Sequence, residues 1–151
     1  MQRTLVLIKP DALQRGLAME VLSRLERRGL KIVGLKMIRM NEALAKRHYE
    51  THEGKAFFEG LIHYITSCPI IAAVFEGKNA IEVVRRTMGE TDPVRAAPGT
   101  IRGDYGLDMG RNLIHGSDSE ESAQREIALF FTEDEMASYS RDIDIWVTES
   151  E

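Results

Sequence analysis

The sequence has very few cysteines and no long apolar run. Its 151 residues include one cysteine, Cys68, which excludes an internal disulfide framework and a zinc site built from cysteines. No stretch approaches the ~20 apolar residues of a membrane span. The first apolar run, residues 5–8, is too short for the core of a secretory signal and stops at Lys9 and Pro10. These absences predict a soluble, cytoplasmic protein without a membrane partner.

The sequence also lacks the basic excess that a general nucleic-acid-binding protein is expected to show. It has 20 basic and 24 acidic residues, and its formal net charge is −4. The charges are unevenly distributed, since residues 1–115 hold 18 Lys and Arg against 13 Asp and Glu, whereas residues 116–151 hold 2 against 11. A basic excess in residues 1–115 followed by an acidic excess in residues 116–151 suits an anionic ligand, but this charge distribution is also compatible with no functional role. The length predicts one domain over residues 1–151.

Strand-like and helix-like segments alternate along the chain, without repeats or low-complexity tracts. Apolar runs predict four strands, at residues 4–8, 30–40, 70–75 and 112–115. The third is expected to be central in its sheet because its apolar run is nearly continuous. Helical patterns lie at residues 16–28, 41–48, 57–65, 79–88 and 119–131. The order βαβ, twice, predicts an α+β sandwich with helices on one face of a mainly antiparallel sheet.

Local signals add detail to this outline. In the second strand, Ile32, Leu35 and either Met37 or Ile38 are expected to face the core. Asn41 is expected to cap the following helix. Residues 90–112 contain two prolines and four glycines, which predict a long loop. A structureless loop of that length inside a compact domain is uncommon and usually functional.

The familiar phosphate-binding and metal-binding patterns are incomplete. The Gly-Lys pairs at residues 54–55 and 77–78 are not followed by Ser or Thr, and they lack the glycine spacing of a P-loop. The glycines of residues 103–110 do not match the dinucleotide fingerprint. His48 and His52 have the spacing of two metal ligands on a helix, but no third ligand is evident. An exposed polar helix face is therefore the preferred interpretation of this pair.

Residues 112–119 are the most informative segment. His115 ends an apolar strand and is followed by a glycine, which leaves room for a ligand, and by three residues that favour helix caps. A neutral imidazole is a fair nucleophile near pH 7, and Glu126 is a candidate partner for its second nitrogen. A buried histidine near a helix start is the alternative. Lys9, Arg85 and Arg102 are cations suited to a polyphosphate, although each alone is more simply a solvated surface charge.

The segment at residues 112–119 resembles the active-site signature of nucleoside diphosphate kinases. The resemblance spans nearly the whole chain and includes three further motifs, at residues 8–16, 89–93 and 98–104. It implies the family's fold, a ferredoxin-like α/β sandwich with a four-stranded, mainly antiparallel sheet. It also implies transfer of the terminal phosphoryl group from a nucleoside triphosphate, such as ATP or GTP, to a nucleoside diphosphate. The family's reaction is ping-pong, through a phosphohistidine, and is tolerant of base and sugar.

The resemblance assigns roles to individual residues. His115 matches the phosphorylated histidine, Glu126 the acid that orients it, and Ser117 a hydroxyl in the same network; Lys9 joins this catalytic group. The residues that match phosphate and ribose ligands are Lys9, Tyr49, Arg85, Thr91, Arg102 and Asn112. Phe57 matches the aromatic residue that stacks on the base, opposite a small branched aliphatic residue that is Met109 here. Asp118 matches a residue near Mg²⁺, which the nucleotide's phosphates mainly hold.

Several alternatives stay open at this point. A non-catalytic nucleotide-binding or DNA-binding regulator finds support in a basic helix face that carries Arg24, Arg27, Arg28 and Lys31, which is more simply a solvated surface. A phosphocarrier served by another kinase would have no use for Phe57. The resemblance implies a homo-oligomer, with a hexamer favoured over a tetramer. Nucleic acid is an improbable partner by composition.

Overall fold

The computed structural model describes residues 1–149 as a four-stranded sheet with helices packed against it. The strands are β1 (Gln2–Ile8), β2 (Lys31–Ile38), β3 (Ile70–Gly77) and β4 (Ile114–Gly116). Their order in the sheet is β2-β3-β1-β4, and every neighbouring pair is antiparallel. The predicted α+β class and the four-stranded antiparallel sheet are confirmed, and so is the central position of β3.

Eight α-helices lie within residues 1–149. They are α1 (Pro10–Gln14), α2 (Ala18–Arg27), α3 (Glu42–His48), α4 (Phe58–Thr66), α5 (Ala80–Met88), α6 (Ile101–Tyr105), α7 (Glu120–Phe130) and α8 (Asp144–Val147). Short 3₁₀ turns follow α3 and α7, at Glu50–His52 and Glu133–Glu135. None of the helices in this part of the chain is long and apolar enough to cross a membrane.

Helices cover both faces of the sheet, so the prediction of helices on one face is wrong. Val6 and Ile8 of β1 pack in one core with residues of α2 and α5. Leu5 and Leu7 point the other way, into a second core with residues of α3, α4 and α7. All four side chains are fully buried. Successive side chains of a strand alternate between faces, so central strands that are apolar on both faces need a helical layer on each.

The inner face of β2 differs from the expected pattern. Leu35, predicted to face the core, is 51% exposed, whereas Val33 is buried. Of the two alternatives Met37 and Ile38, Met37 is 64% exposed and Ile38 packs against the core. The pairing of β2 with β3 is irregular between Ile32 and Gly34. Such a β-bulge inserts one unpaired residue, and beyond it Leu35 and Met37 lie opposite Ala73 and Ile71, on the same face of the sheet as Ile32. Their exposure therefore reflects how little of that face is covered, and not a change of face. β2 is also an edge strand, so its outer residues have no strand beside them.

The predicted loop at residues 90–112 contains a helix, α6, that the sequence did not indicate. The Thr100 hydroxyl caps this helix by accepting a hydrogen bond from the Gly103 amide at 3.0 Å. A Cβ atom at Gly103 would lie 2.0 Å from the Ala97 carbonyl oxygen, so only glycine fits there. The caps of two other helices follow local rules: Asn41 caps α3 as predicted, and Ser119 caps α7. The tight packing around α6 places Arg102 beside β4.

Candidate functional site

A cleft of about 1410 Å³ lies beside β4 and next to the C-terminal end of β1. All eight residues predicted to bind nucleotide line it, together with His115; they are Lys9, Tyr49, Phe57, Arg85, Thr91, Arg102, Met109 and Asn112. They come from separate parts of the chain: the residue after β1, the ends of α3 and α4, α5, α6 and the loops around α6. The cleft is therefore assembled by the tertiary fold and has no counterpart in any one segment.

His115 lies on β4, and one of its ring nitrogens contacts the carboxylate of Glu126. Its Nε2 is 2.8 Å from Oε1 of Glu126, and the same oxygen accepts a hydrogen bond from the Ser117 hydroxyl at 2.8 Å. The amide of Leu5 in β1 donates to that hydroxyl at 3.2 Å. When the carboxylate accepts a hydrogen bond from the Nε2–H group, the lone pair of the neutral ring lies on Nδ1. The arrangement fixes both the orientation of the imidazole and its tautomer.

The Glu126 carboxyl group is buried and nevertheless ionised. Burial acts to raise its pKa, but the hydrogen bond and charge of His115 and the hydrogen bond from Ser117 together lower the pKa below its usual value. Hydrogen bonds donated to a carboxylate favour its charged form. Glu126 is thus a negative charge at neutral pH, placed directly behind His115.

Lys9 is connected to the loop on the far side of the cleft through Asn112. Lys9 Nζ donates to Asn112 Oδ1 at 2.8 Å, and Asn112 Nδ2 donates to the carbonyl of Thr91 at 3.1 Å. Burial, together with the nearby charge of Arg102, lowers the pKa of Lys9 to about 8, although Asp11 acts in the opposite direction. The ammonium group is therefore poised to lose its proton in mildly alkaline solution.

Arg102 is buried, and its guanidinium group holds backbone carbonyls. It donates to Asn112 at 3.1 Å, to Gly89 at 3.1 Å and to Ile114 at 2.6 Å. Burial and the neighbouring Arg85 lower its pKa to about 10, so it stays charged at neutral pH. The sequence pointed only to a phosphate ligand at this position, yet the side chain also braces the residues that lead into β4.

Two large apolar side chains also line the cleft. They are Phe57 and Met109, and each is 54% exposed. Tyr49 is buried nearby, and burial raises the pKa of its hydroxyl group. The cleft therefore combines cationic side chains with an aromatic face and a flexible thioether.

Asp118 lies next to the cleft and does not line it. It contributes to a shallower neighbouring groove, which shares Arg85 with the cleft. A hydrogen bond from the Ser122 side chain, with further help from the charge of Arg85, lowers the pKa of the Asp118 carboxyl group. Asp118 is exposed and ionised, so it presents a single carboxylate at the edge of the site.

Residues 2–136 match the family model described as nucleoside diphosphate kinase. The chain belongs to that family. It is 61% identical over 149 residues to the nucleoside diphosphate kinase of Pelotomaculum thermopropionicum, which covers 99% of this chain and all of that one. The corresponding enzyme of Archaeoglobus fulgidus is 55% identical, with 99% of each chain covered. The predicted family is confirmed, and so is the prediction of a nucleoside diphosphate kinase enzyme.

Solved structures of nucleoside diphosphate kinases have the same fold. The enzyme of Halobacterium salinarum, in complex with CDP, superposes with a TM-score of 0.95 at 54% identity, over 97% of this chain and 98% of that one. A family protein from Babesia bovis also gives a TM-score of 0.95, at 39% identity, over 98% of this chain and 100% of that one. The ferredoxin-like sandwich that the resemblance implied is confirmed by these superpositions.

One residue beside His115 of this nucleoside diphosphate kinase was missed. His48 was expected on an exposed polar face, but it is 4% exposed, and its ring centroid is 4.8 Å from that of His115. Burial, followed by the charge of His115, lowers its pKa to about 3. Buried Ala45 lies three residues earlier on α3, a spacing that indicates one helix face and could have revealed the burial of His48.

His48, His115 and Glu126 are also a group that could hold a metal ion. Their potential ligand atoms lie within 4.8 Å of one another. An ion there would break the 2.8 Å contact between His115 and Glu126 and would occupy a nitrogen of the His115 ring. We therefore assign no resident metal to this group.

Proposed function

We propose that the protein transfers the terminal phosphoryl group of a nucleoside triphosphate to a nucleoside diphosphate through a phosphohistidine on His115. The observation that supports this most strongly is the contact of 2.8 Å between His115 Nε2 and Glu126 at the wall of a cleft with cationic residues. In the first half-reaction, the Nδ1 lone pair attacks the γ-phosphorus, the bond to the β-phosphate oxygen breaks, and the diphosphate leaves. In the second, a β-phosphate oxygen of another diphosphate attacks phosphorus and the N–P bond breaks.

The proton on Nε2 stays between His115 and Glu126 in both half-reactions. Attack through Nδ1 makes the ring cationic, and the ionised carboxylate of Glu126 stabilises that charge. Phosphoryl transfer passes through a loose transition state, so catalysis is mainly a matter of position and charge. Lys9, Arg85 and Arg102 supply the positive charge along the cleft, and Thr91, Tyr49 and Asn112 complete the proposed phosphate and ribose site.

Acceptance of nucleotides with different bases follows from the apolar side chains that line the cleft. Phe57 offers an aromatic face on which any purine or pyrimidine can stack, because every base has a π-face. Met109 is flexible and adapts to rings of different size. A site that stacks the base without reading its edges discriminates weakly between nucleotides.

Divalent-cation chemistry is general for phosphotransfer of this kind, and we propose Mg²⁺ as the cation. Mg²⁺ is usually bound by one or two carboxylates together with substrate phosphates. Asp118 fits that description, because it is a single exposed and ionised carboxylate at the edge of the cleft. We propose that Asp118 contacts the hydrated ion through water. The ion supplies charge neutralisation on the phosphates when it is bound.

The covalent intermediate can be tested directly on the wild-type protein. Incubation with γ-labelled ATP alone is expected to label the chain on one histidine, and addition of a second nucleoside diphosphate should remove the label as its triphosphate. Initial rates should give parallel double-reciprocal lines, the pattern of a ping-pong reaction. Intersecting lines, or transfer only when a second protein is present, would contradict the proposal.

Lys9 is expected to limit activity in alkaline solution. The pKa of about 8 belongs to a cation, so its charge is present below that pH and lost above it. Consequently kcat/KM of the free enzyme should fall as the pH rises through about 8. A bound polyphosphate favours the charged form, so the fall in kcat should occur at higher pH. In the Lys9→Gln variant, kcat/KM should be lower, and its pH profile should lack this fall at high pH, the alkaline limb of the profile. An unchanged limb in that variant would assign the titration to another group.

A DNA-binding regulator is disfavoured because the four cations predicted to form a basic helix face do not share one helix: Lys31 is the first residue of β2. Three of them also make contacts within the chain. Arg24 pairs with Asp104 at 2.5 Å, and Arg28 donates to Thr87 at 3.0 Å. Lys31 donates to the carbonyl of Tyr139 at 2.6 Å. These cations stabilise contacts within the chain, which makes them poor candidates for binding phosphate groups of nucleic acid.

We propose in addition that the whole chain acts as one catalytic domain and assembles as a homo-oligomer, with a hexamer favoured over a tetramer. Large apolar side chains are exposed on several surfaces, among them Leu35, Met37, Leu107 and Trp146. Burial of such side chains against other copies would remove apolar area from water. The cytoplasmic location expected from the single cysteine stays a proposal.

A further inference from the structure

The turn directly before β4 has a strained backbone. The Ile114 amide donates to the Asn112 carbonyl at 2.9 Å, so these residues form a γ-turn, and Leu113 at its centre has a φ of 75°. A positive φ is an outlier for a bulky residue, and a γ-turn of this hand is rare. Strained conformations of this kind persist only where the surrounding structure holds them. Two residues later in the chain is His115.

The segment after β1 binds both backbone polar groups of Leu113. The Lys9 amide donates to the Leu113 carbonyl at 2.9 Å, and the Leu113 amide donates to Asp11 Oδ2 at 3.0 Å. The other carboxylate oxygen of Asp11 accepts a hydrogen bond from the Tyr64 hydroxyl of α4. The guanidinium group of Arg111 lies 4.5 Å from the centre of the Tyr64 ring. The Asp11 carboxylate is thus fixed between α4 and the strained turn.

We propose that Asp11 is a positioning residue, which holds the Leu113 turn and thereby sets the place of His115 in the cleft. This inference rests on the proposed role of His115 as the phosphorylated residue. β4 pairs with β1 at only three positions, so its pairing alone fixes the strand weakly. Relaxation of φ at Leu113 would displace the start of β4. Displacement of a reacting group by ~1 Å costs about 100-fold in rate.

The variant Asp11→Ala removes the acceptor for the Leu113 amide. We expect the rate of His115 phosphorylation and kcat to fall by about 10- to 100-fold. KM for the nucleotide should change much less than kcat, because the proposed base-binding and phosphate-binding side chains are still present. Arg102 still binds the carbonyls of Asn112 and Ile114, so the fold should be retained. A wild-type kcat in a folded Asp11→Ala protein would overturn the proposal.

The variant Asp11→Asn separates hydrogen bonding from charge. Its amide oxygen can accept from Leu113, and its NH₂ group can donate to the Tyr64 oxygen. We expect kcat within about threefold of wild type, since both contacts can be kept. Asp11 acts to raise the pKa of Lys9, so this variant should also move the alkaline limb to lower pH. Equal losses of kcat in Asp11→Asn and Asp11→Ala would show that the charge acts, and not the hydrogen bond.

Asp144→Ala is a matched control far from the cleft. The Asp144 carboxylate also accepts a backbone amide and a side-chain donor, from Arg141 at 2.9 and 2.8 Å. The Asp144→Ala variant should have the kcat of the wild type, and its change in melting temperature should be similar to that of Asp11→Ala. If Asp11→Ala does not fold, Tyr64→Phe decides the question, because it frees one oxygen of Asp11 and should lower kcat by about threefold to tenfold. A wild-type kcat in Tyr64→Phe would then overturn the proposal.

The same experiments separate this inference from the function on which it depends. If the wild-type protein takes no label on His115, the proposed function fails and the role of Asp11 fails with it. If the wild type is labelled and Asp11→Ala is labelled at the same rate, only the positioning role fails.

Discussion

Replacement of His115 by alanine is expected to abolish phosphoryl exchange and to remove the label that γ-labelled ATP leaves on the chain. Without Nδ1, transfer would require the donor and acceptor nucleotides to react directly, whereas both half-reactions of the proposed mechanism use the same cleft. We expect kcat to fall by at least about 10⁴-fold, the scale observed when an enzyme loses the nucleophile of its covalent intermediate. Exchange between ATP and a second diphosphate, measured beside the acid-labile label, checks both parts.

His63→Ala provides the matched control for this result. His63 is an exposed histidine on α4 that also lines the cleft, and it takes no part in the contact between His115 and Glu126. Its removal therefore changes the histidine content and leaves that contact in place. We expect this variant to exchange and to take label like the wild type. Phosphoryl exchange at the wild-type rate in the His115→Ala protein would contradict the proposed mechanism.

Glu126→Ala is expected to give the second large loss, of about 100-fold in kcat with little change in KM. The substitution leaves Nε2 of His115 and the buried Ser117 hydroxyl without their shared acceptor. The imidazole then loses its fixed tautomer and orientation, and the cationic phosphohistidine loses the adjacent negative charge. Single-turnover phosphorylation by labelled ATP would measure the effect on chemistry apart from product release.

Glu126→Gln tests which property of the carboxylate matters. Its amide oxygen can still accept from Nε2 and from the Ser117 hydroxyl, but the negative charge is gone. We expect a loss of about tenfold, between those of Ala and wild type, because orientation is kept and charge stabilisation is not. Wild-type kcat in Glu126→Ala would show that His115 needs no partner.

Features that depend on neighbours along the chain were predicted well. The Asn41 cap requires only a side-chain oxygen within reach of an amide three residues later, and the structure has that hydrogen bond at 2.8 Å. β3 was recognised because a strand buried on both faces is apolar at every position. The burial of Leu35 was predicted wrongly for the opposite reason. β2 is an edge strand, and packing between distant segments decides which part of it is covered, so the pattern within β2 does not reveal this.

The sequence by itself determined the family, the α+β class and the eight residues that line the cleft with His115. Those eight residues came from the resemblance to nucleoside diphosphate kinases, whose motifs carry the functional groups that a polyphosphate site needs. Only the tertiary structure decided how the site is supported. Arg102 donates to three backbone carbonyls, His48 packs beside the His115 ring, and Asp11 accepts the amide of the strained Leu113 turn. These contacts join residues that packing brings together. Their geometry depends on distances across the sheet, which no local pattern of residues encodes.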